Sequence, residues 1–361
     1  MYGLARRLLF LLPPHAAHSL AMAVLAPVEH LGLVRGAVRA LVGAPDERLR
    51  ARVMGLQFPS PIGVAGGFDK NASRPRSLAA LGFGFLELGT VTARPQAENP
   101  RPNLFRLPAD RALINRLGFP NAGASRVAAQ IARRGSVGVP VGVSIGKSRD
   151  VEIDPIKGAI ADYVASFDAV RDVADFVVVN VSSPNTKNLR RMQGAEVARA
   201  LFTALVARNA GDAKKPLLVK ISPDMTDADL EALLAVVEEQ QLDGVVATNT
   251  TLSRGGLTTN AAAVAEVGAG GLSGPPVRAR ALEVVGRVRA RLGPKFAVIG
   301  VGGVETGEHA LALLRAGADL VQLYTGFVYG GPLIAKRIAD DLARALDRAG
   351  AATIAQLAGR G

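Results

Sequence analysis

The stretch FVVVNVSSPNT, residues 176–186, sets an unbroken apolar run, Phe176 to Val179, directly against Asn180, Ser182, Ser183, Pro184, Asn185 and Thr186. A β-branched run ending in small polar residues predicts a buried strand, 176–181, whose C-terminal tip carries something to be used. Seven further runs share its character: 62–65, 85–90, 141–145, 217–221, 244–248, 297–301 and 320–324. Ala/Leu/Arg-rich segments of helical period lie between them, at 73–81, 154–171, 196–208, 227–240, 276–291 and 306–316. Eight strands, each apolar on both faces and alternating with helices, predict a closed (β/α)8 TIM barrel rather than a sandwich or a bundle. An open doubly wound sheet is the runner-up, and it needs a Gly-rich phosphate turn early in the chain. The turn after the first strand, AGGFDKN (65–71), lacks G-x-G-x-x-G spacing, and no G-x-x-x-x-G-K-[ST] occurs anywhere.

Two insertions interrupt the alternation. RVMGLQFPSP (52–61) reads as a short hairpin closing the barrel floor. Residues 93–125, with Pro95, Pro100, Pro102, Pro108 and Pro120, are too long and proline-rich for a simple connection and predict an excursion over the top.

Composition narrows the chemistry. The 361 residues contain no cysteine, which removes disulfides, thiolate nucleophiles and thiolate-bound metal. The net charge of +12 suits an anionic partner, yet there is no dense Lys/Arg run, Trp is absent and aromatics are few, so nucleic-acid binding is not expected.

The first forty residues differ from the rest. Leu4, Leu8, Leu11, Leu20 and Val24 fall at helical spacing around Pro13 and Pro14, which predicts two short amphipathic helices, with Pro14 in the first turn of the second. No stretch approaches the roughly 20 apolar residues needed to cross a bilayer. A signal peptide is a rival reading, since Arg6 and Arg7 precede Leu8–Leu12, but the apolar core is short and no convincing small-residue cleavage site follows at the right distance. The preferred division is a helical membrane-associating extension, 1–42, with Arg6, Arg7, Arg35 and Arg39 near phospholipid headgroups, followed by the barrel, 43–361.

In a barrel, catalytic groups gather at the C-terminal ends of the strands. Those ends carry Lys70, Thr90, Ser144 with Lys147, Asn180 to Asn185, Lys220, Thr248 to Thr250, Gly302–Gly303 and Tyr324–Thr325. They offer no carboxylate pair for glycoside hydrolysis. Nor do they offer a metal-ligand cluster, because three of the four histidines, His15, His18 and His30, sit in the N-terminal segment. Amides, hydroxyls and lysines suit a planar, heteroatom-rich cofactor and an anionic ligand. The clusters GAGGLSG (268–274) and GVGG (300–303) lie where such barrels form a phosphate cup.

The motifs AGGFDKN, LGTVTARPQAENPRPNLFRLP (88–108), INRLGF (114–119), VNVSSPNT (179–186), VKISPD (219–224), ATNTTL (247–252), GGLSGPP (270–276), IGVGGV (299–304) and VQLYTGF (321–327) closely resemble quinone-dependent, class 2 dihydroorotate dehydrogenase, from about residue 18 to about residue 340. The resemblance implies oxidation of (S)-dihydroorotate to orotate in pyrimidine biosynthesis, with one FMN per chain and ubiquinone or menaquinone as acceptor. It also implies peripheral attachment to the cytoplasmic face of the cell (inner) membrane. Carried over position by position, it assigns FMN to Ala65, Gly66, Gly67, Thr90, Ser144, Asn180, Lys220, Thr248, Gly274, Gly303, Tyr324 and Thr325. Dihydroorotate falls to Lys70, Asn115, Arg116, Leu117, Gly118, Phe119, Asn180, Asn185, Asn249 and Thr250, and Ser183 matches the catalytic base, on a loop that covers the substrate as a lid. His18, Arg106 and Tyr324 match the quinone site, beside a tunnel formed by the N-terminal helices.

The chain departs from the family pattern at four places. Ser144 in VSIGK stands where Asn is usual, Gly66 where Ala is usual, Pro120 where Asn is usual, and Lys187–Asn188 where the lid usually has Pro-Gly. Two rival readings remain: a soluble class 1 enzyme, which would use cysteine as its base, and an RNA-associated or non-catalytic membrane-bound barrel. The sequon Asn180-Val181-Ser182 is discounted at a buried strand end.

Overall fold

The structure, a computed structural model, describes residues 2–186, 188–211 and 213–360. Among them, eight parallel strands close into a barrel in chain order: β1 Ile62–Val64, β2 Phe85–Val91, β3 Val141–Ile145, β4 Phe176–Asn180, β5 Leu217–Ile221, β6 Gly244–Ala247, β7 Ala297–Val301 and β8 Leu320–Leu323. The last pairs with the first, Val321 opposite Ile62. Each expected strand is present with its ends displaced by at most one residue, and the six expected helices pack outside.

Side chains alternate along each strand, so every second residue enters the barrel. The lowest interior layer is apolar: Phe85, Phe176, Val178, Leu218, Val246, Ile299 and Leu320 bury against Phe58. Phe58 comes from the floor hairpin, Ala51–Val53 and Leu56–Phe58, and meets Phe85 edge-on at 5.5 Å between ring centres. Two residues further up their strands, Glu87, Lys220 and Gln322 form a buried polar layer on the same inward face. The apolar plug ends there and chemistry begins.

The proline-rich excursion folds back over the strand tips. Strands Leu104–Leu107 and Ala112–Asn115 pair antiparallel, and Gly271–Ser273, from the loop after β6, joins them with Leu113 opposite Ser273. This small sheet roofs the barrel mouth.

The N-terminal segment forms four helices rather than the expected two: α1 Tyr2–Leu11, α2 Pro14–Val24, α3 Ala26–His30 and α4 Gly32–Val42. The second expected helix is interrupted because Pro27 can occupy only a first turn, which restarts the helix as α3, and Leu31 is extended before Gly32. Helix α3 is fastened to the barrel by a buried ion pair. The carboxylate of Glu29 takes Arg134 Nη1 at 2.6 Å through one oxygen and the Ser77 backbone N–H at 2.9 Å through the other.

Three of the four N-terminal arginines also serve the protein itself. Arg6 donates to the Tyr329 carbonyl, Arg35 to the Glu29 carbonyl at the end of α3, and Arg39 to the Val137 carbonyl. The outer side of these helices is bare. Leu4, Leu8, Leu11, Leu31, Leu33 and Leu41 are all more than half exposed, Leu33 at 92%.

Candidate active site

A cavity opens between the strand tips and the roof. Ala65, Gly66, Gly67 and Lys70 line it from the β1 end, and Thr90, Asn180, Ser183, Asn185, Lys220, Thr248, Asn249 and Thr250 from the tips of β2, β4, β5 and β6. Gly274, Gly303, Tyr324 and Thr325 close one side, while the roof contributes Asn115, Leu117, Gly118 and Phe119. Gly274 and Gly303 have φ of +102° and +68°, a left-handed region that glycine enters without a Cβ penalty and that lets backbone N–H groups turn inward.

Four expected residues lie apart from this lining. Arg116 turns outward, donating to the Ala269 carbonyl at 2.9 Å with its guanidinium 4.6 Å from the Phe105 ring centre. It ties the roof together, because the chain leaves its strand after Asn115 and the alternation sends the next side chain to the far face. Ser144 is fully buried one step below the cavity, its hydroxyl 2.9 Å from that of Thr90. Arg106 spans the carbonyls of Phe10 and Leu12 and stacks on Phe10. His18 packs edge-on against Phe68, which packs in the same way against Tyr324, each pair at 5.5 Å.

The polar groups are held by one another. Asn180 donates to Thr90 Oγ1 at 3.1 Å and accepts from the Ser182 hydroxyl at 3.1 Å, and Asn249 donates to that same hydroxyl at 2.9 Å. Asn185 donates to the Asn115 side chain at 3.1 Å, joining lid to roof. Such mutually satisfied amides are preorganised, so a ligand meets donors already aimed. Ser183, 5% exposed, keeps its hydroxyl on the cavity wall and accepts the Asn185 backbone N–H at 3.3 Å.

The loop carrying Ser183 is pinned by Arg190, a residue outside the matched motifs. Arg190 donates to the Ser182 carbonyl at 3.2 Å, to Asp224 at 2.8 Å and to the Thr250 carbonyl at 3.2 Å. One guanidinium thus joins three strand-end loops. Asn188 takes a left-handed φ of +57° within the same loop; Lys187 lies outside the described residues.

Electrostatics divides the lysines. Burial pushes the Lys70 ammonium down to about 8 against the attraction of Asp69 and Glu98, while its Nζ donates to the Gly67 carbonyl at 2.6 Å. Lys220 is buried and paired with Glu87 at 3.0 Å. Burial also holds the His18 imidazole down to about 4, assisted by the nearby charge of Lys70 and by His15, so it is neutral at physiological pH. Gln322 and Ser273 line the cavity as well, and both escaped sequence reasoning, as did Glu87 beneath them. A signal for Glu87 was present: it is the only charged residue in the run FLELGTV (85–91) and keeps the inward register of Phe85.

The family profile described as dihydroorotate dehydrogenase matches residues 48–346. A curated relative from Rhodococcus opacus named dihydroorotate dehydrogenase (quinone) is 48% identical over 361 residues, covering 100% of this chain and 99% of its own. One of the same name from Mycobacterium marinum is 47% identical over 359 residues, covering 99% and 97%. Among solved structures, DHODH of Eimeria tenella in complex with ferulenol is similar with a TM-score of 0.84 at 33% identity, covering 95% of this chain and 94% of its own.

Proposed function

The chain belongs to the dihydroorotate dehydrogenase family, in its quinone-using branch, and on that premise we propose how its residues divide the oxidation of dihydroorotate to orotate. FMN is the cofactor we assign to the cavity; when bound, it accepts the hydride from substrate C6 and passes the electrons to quinone. The residues present fit it. Thr90, Asn180, Lys220 and Thr248 offer donors, Gly274 and Gly303 offer a backbone cup, and the buried Gln322 Oε1, which has no hydrogen-bond partner, offers an acceptor.

Lys70 binds the substrate carboxylate and absorbs charge that develops on the ring. Asn115, Asn185, Asn249 and Thr250 orient the pyrimidine through its amides and carbonyls. Ser183 takes the proton from C5, in a place from which the lid excludes water. Ser144 acts indirectly, by holding Thr90. The observation that carries this reading is the convergence of Ser183, Lys70 and Lys220 on one cavity that also presents an unpartnered buried amide carbonyl. Purified protein is expected to be yellow, to bleach on addition of dihydroorotate and to recover its colour with a soluble quinone. A colourless protein, or one whose spectrum ignores dihydroorotate, overturns it.

A pH dependence follows from Lys70. Its folded value of about 8 lies below the ordinary 10.5, so the free site loses its ammonium as pH rises through about 8. The kcat/KM for dihydroorotate should therefore fall above pH 8, whereas kcat, which reports the complex with an anion on the ammonium, should hold to higher pH. Replacing Lys70 by Arg should remove that limb from the kcat/KM profile, and its persistence would assign the titration to another group.

Quinone reaches the flavin from the N-terminal side, past His18, Phe68 and Tyr324, and the bare leucines of α1 and α4 lie on the membrane. Among the described residues no single helix is long and apolar enough to cross a bilayer. In our reading, attachment is peripheral and to the cytoplasmic face. Each buried leucine contributes about 1.5–3 kcal/mol, so Leu33→Glu with Leu41→Glu should weaken binding to anionic vesicles by more than about tenfold. Bleaching by dihydroorotate should be unchanged, and unaltered flotation with vesicles would remove this face from the interaction.

A further inference from the structure

We propose that Glu87 is a positioning residue that sets both the charge of Lys220 and the orientation of Gln322 beneath the cofactor; this rests on the FMN assignment above. Glu87 is fully buried on β2, facing into the barrel directly above its apolar plug. One carboxylate oxygen accepts Lys220 Nζ at 3.0 Å and the other accepts Gln322 Nε2 at 2.9 Å. Lys220 comes from β5 and Gln322 from β8, so three strands meet on one carboxylate.

Two consequences follow from the donor and acceptor inventory. An ionised carboxylate can only accept, so Gln322 must turn its NH₂ toward Glu87 and its carbonyl away. That carbonyl oxygen is buried without a hydrogen-bond partner, and Gln322 lines the cavity. The layer therefore presents an acceptor that selects a ligand carrying a ring N–H, as the pyrimidine edge of a flavin does. Lys220, meanwhile, presents a cation whose field is offset by an adjacent anion, so the cofactor sees a nearly neutral pair. Position 66 conforms to this arrangement: a Cβ there would lie 2.1 Å from the same Glu87 oxygen, and the residue is glycine. The oxygen that takes Lys220 is thus also packed close against the backbone at position 66.

The test is the midpoint potential and the FMN affinity of the purified holoenzyme. Glu87→Gln keeps the shape and removes the charge, which leaves Lys220 uncompensated beside the cofactor and favours its electron-rich reduced form. The two-electron equilibrium is expected to move about tenfold toward reduction, about 30 mV more positive, with FMN held several-fold more weakly as Gln322 turns. Lys220→Met removes the cation whose field Glu87 offsets, so adding Glu87→Gln to that variant should move the potential far less than it does in the parent. Should Glu87→Gln fail to load cofactor, Glu87→Asp, which keeps the charge but is too short to reach both partners, is expected to shift the potential in the same direction. A purely structural role predicts a lower Tm and less bound FMN but an unmoved potential in the loaded fraction, and that result overturns the proposal. A parent protein that carries no flavin overturns the FMN assignment, and this inference with it. A yellow parent whose potential ignores residue 87 overturns the role of Glu87 alone.

Discussion

Replacing Ser183 by alanine is expected to slow bleaching by dihydroorotate by about 10²–10⁴-fold, the usual contribution of a positioned general base, with little change in FMN content or Tm. The hydroxyl accepts one backbone N–H at 3.3 Å, and its carrier loop is held by Arg190 and by the Asn185–Asn115 bond, neither of which the mutation touches. The loss should therefore fall on the proton-transfer step. Ser183→Cys provides a second readout: a thiol is far more acidic than a hydroxyl, so this variant should recover part of the rate and gain it as pH rises. A bleaching rate for Ser183→Ala within a few-fold of the parent would mean that another group takes the proton.

The second large effect is on stability. Glu29 is 1% exposed, and among the described residues its carboxylate is held by the Arg134 guanidinium and by the backbone N–H and hydroxyl of Ser77. Removing one partner of a buried pair strands the other, at a cost of about 3–5 kcal/mol. Arg134→Met should therefore lower Tm by roughly 5–15 °C, but the loss should be local before it is global, because the pair joins the N-terminal helices to an otherwise complete barrel. Limited proteolysis is expected to cut the variant first near residues 43–46, releasing the helical segment while the barrel survives. Pairing it with Glu29→Gln should restore most of the loss, since the stranded charge is gone. Simultaneous digestion of both parts would show instead that the segment and barrel unfold as one unit.

The barrel was legible because each of its strands is buried on both faces, and a short β-branched run that ends in polar residues has few other readings. The cap sheet was not: its strands are three or four residues long, and Leu113 finds Ser273 across 160 positions, a pairing no local pattern encodes. Helix Ala124–Arg134 was overlooked although its amphipathic period is strong, because it follows directly on the proline-rich excursion. So was the closing helix Ile334–Ala349, which packs beside β1.

At the site, strand ends supplied the correct neighbourhood for nearly every lining residue. Sequence failed where the direction of a side chain decides its role. Arg116 and Asn115 are adjacent in one motif, yet one lines the cavity and the other braces the roof from outside. Ser144 sits in a matched motif but reaches the cavity only through Thr90. The extension illustrates the same limit in reverse. Arg6, Arg35 and Arg39 are expected from sequence near phospholipid headgroups, and in the fold each donates to a backbone carbonyl.

The three bonds of Arg190 give the substrate loop an unusual kind of hinge. Because a single rigid, planar group clasps the carbonyl beside Ser183, the acid of one neighbouring turn and the carbonyl of another, none can drift far while the remaining two hold. On the function proposed above, such a clasp would act as a catch and not as a spring, releasing all three loops together and keeping the cavity closed to water until it did.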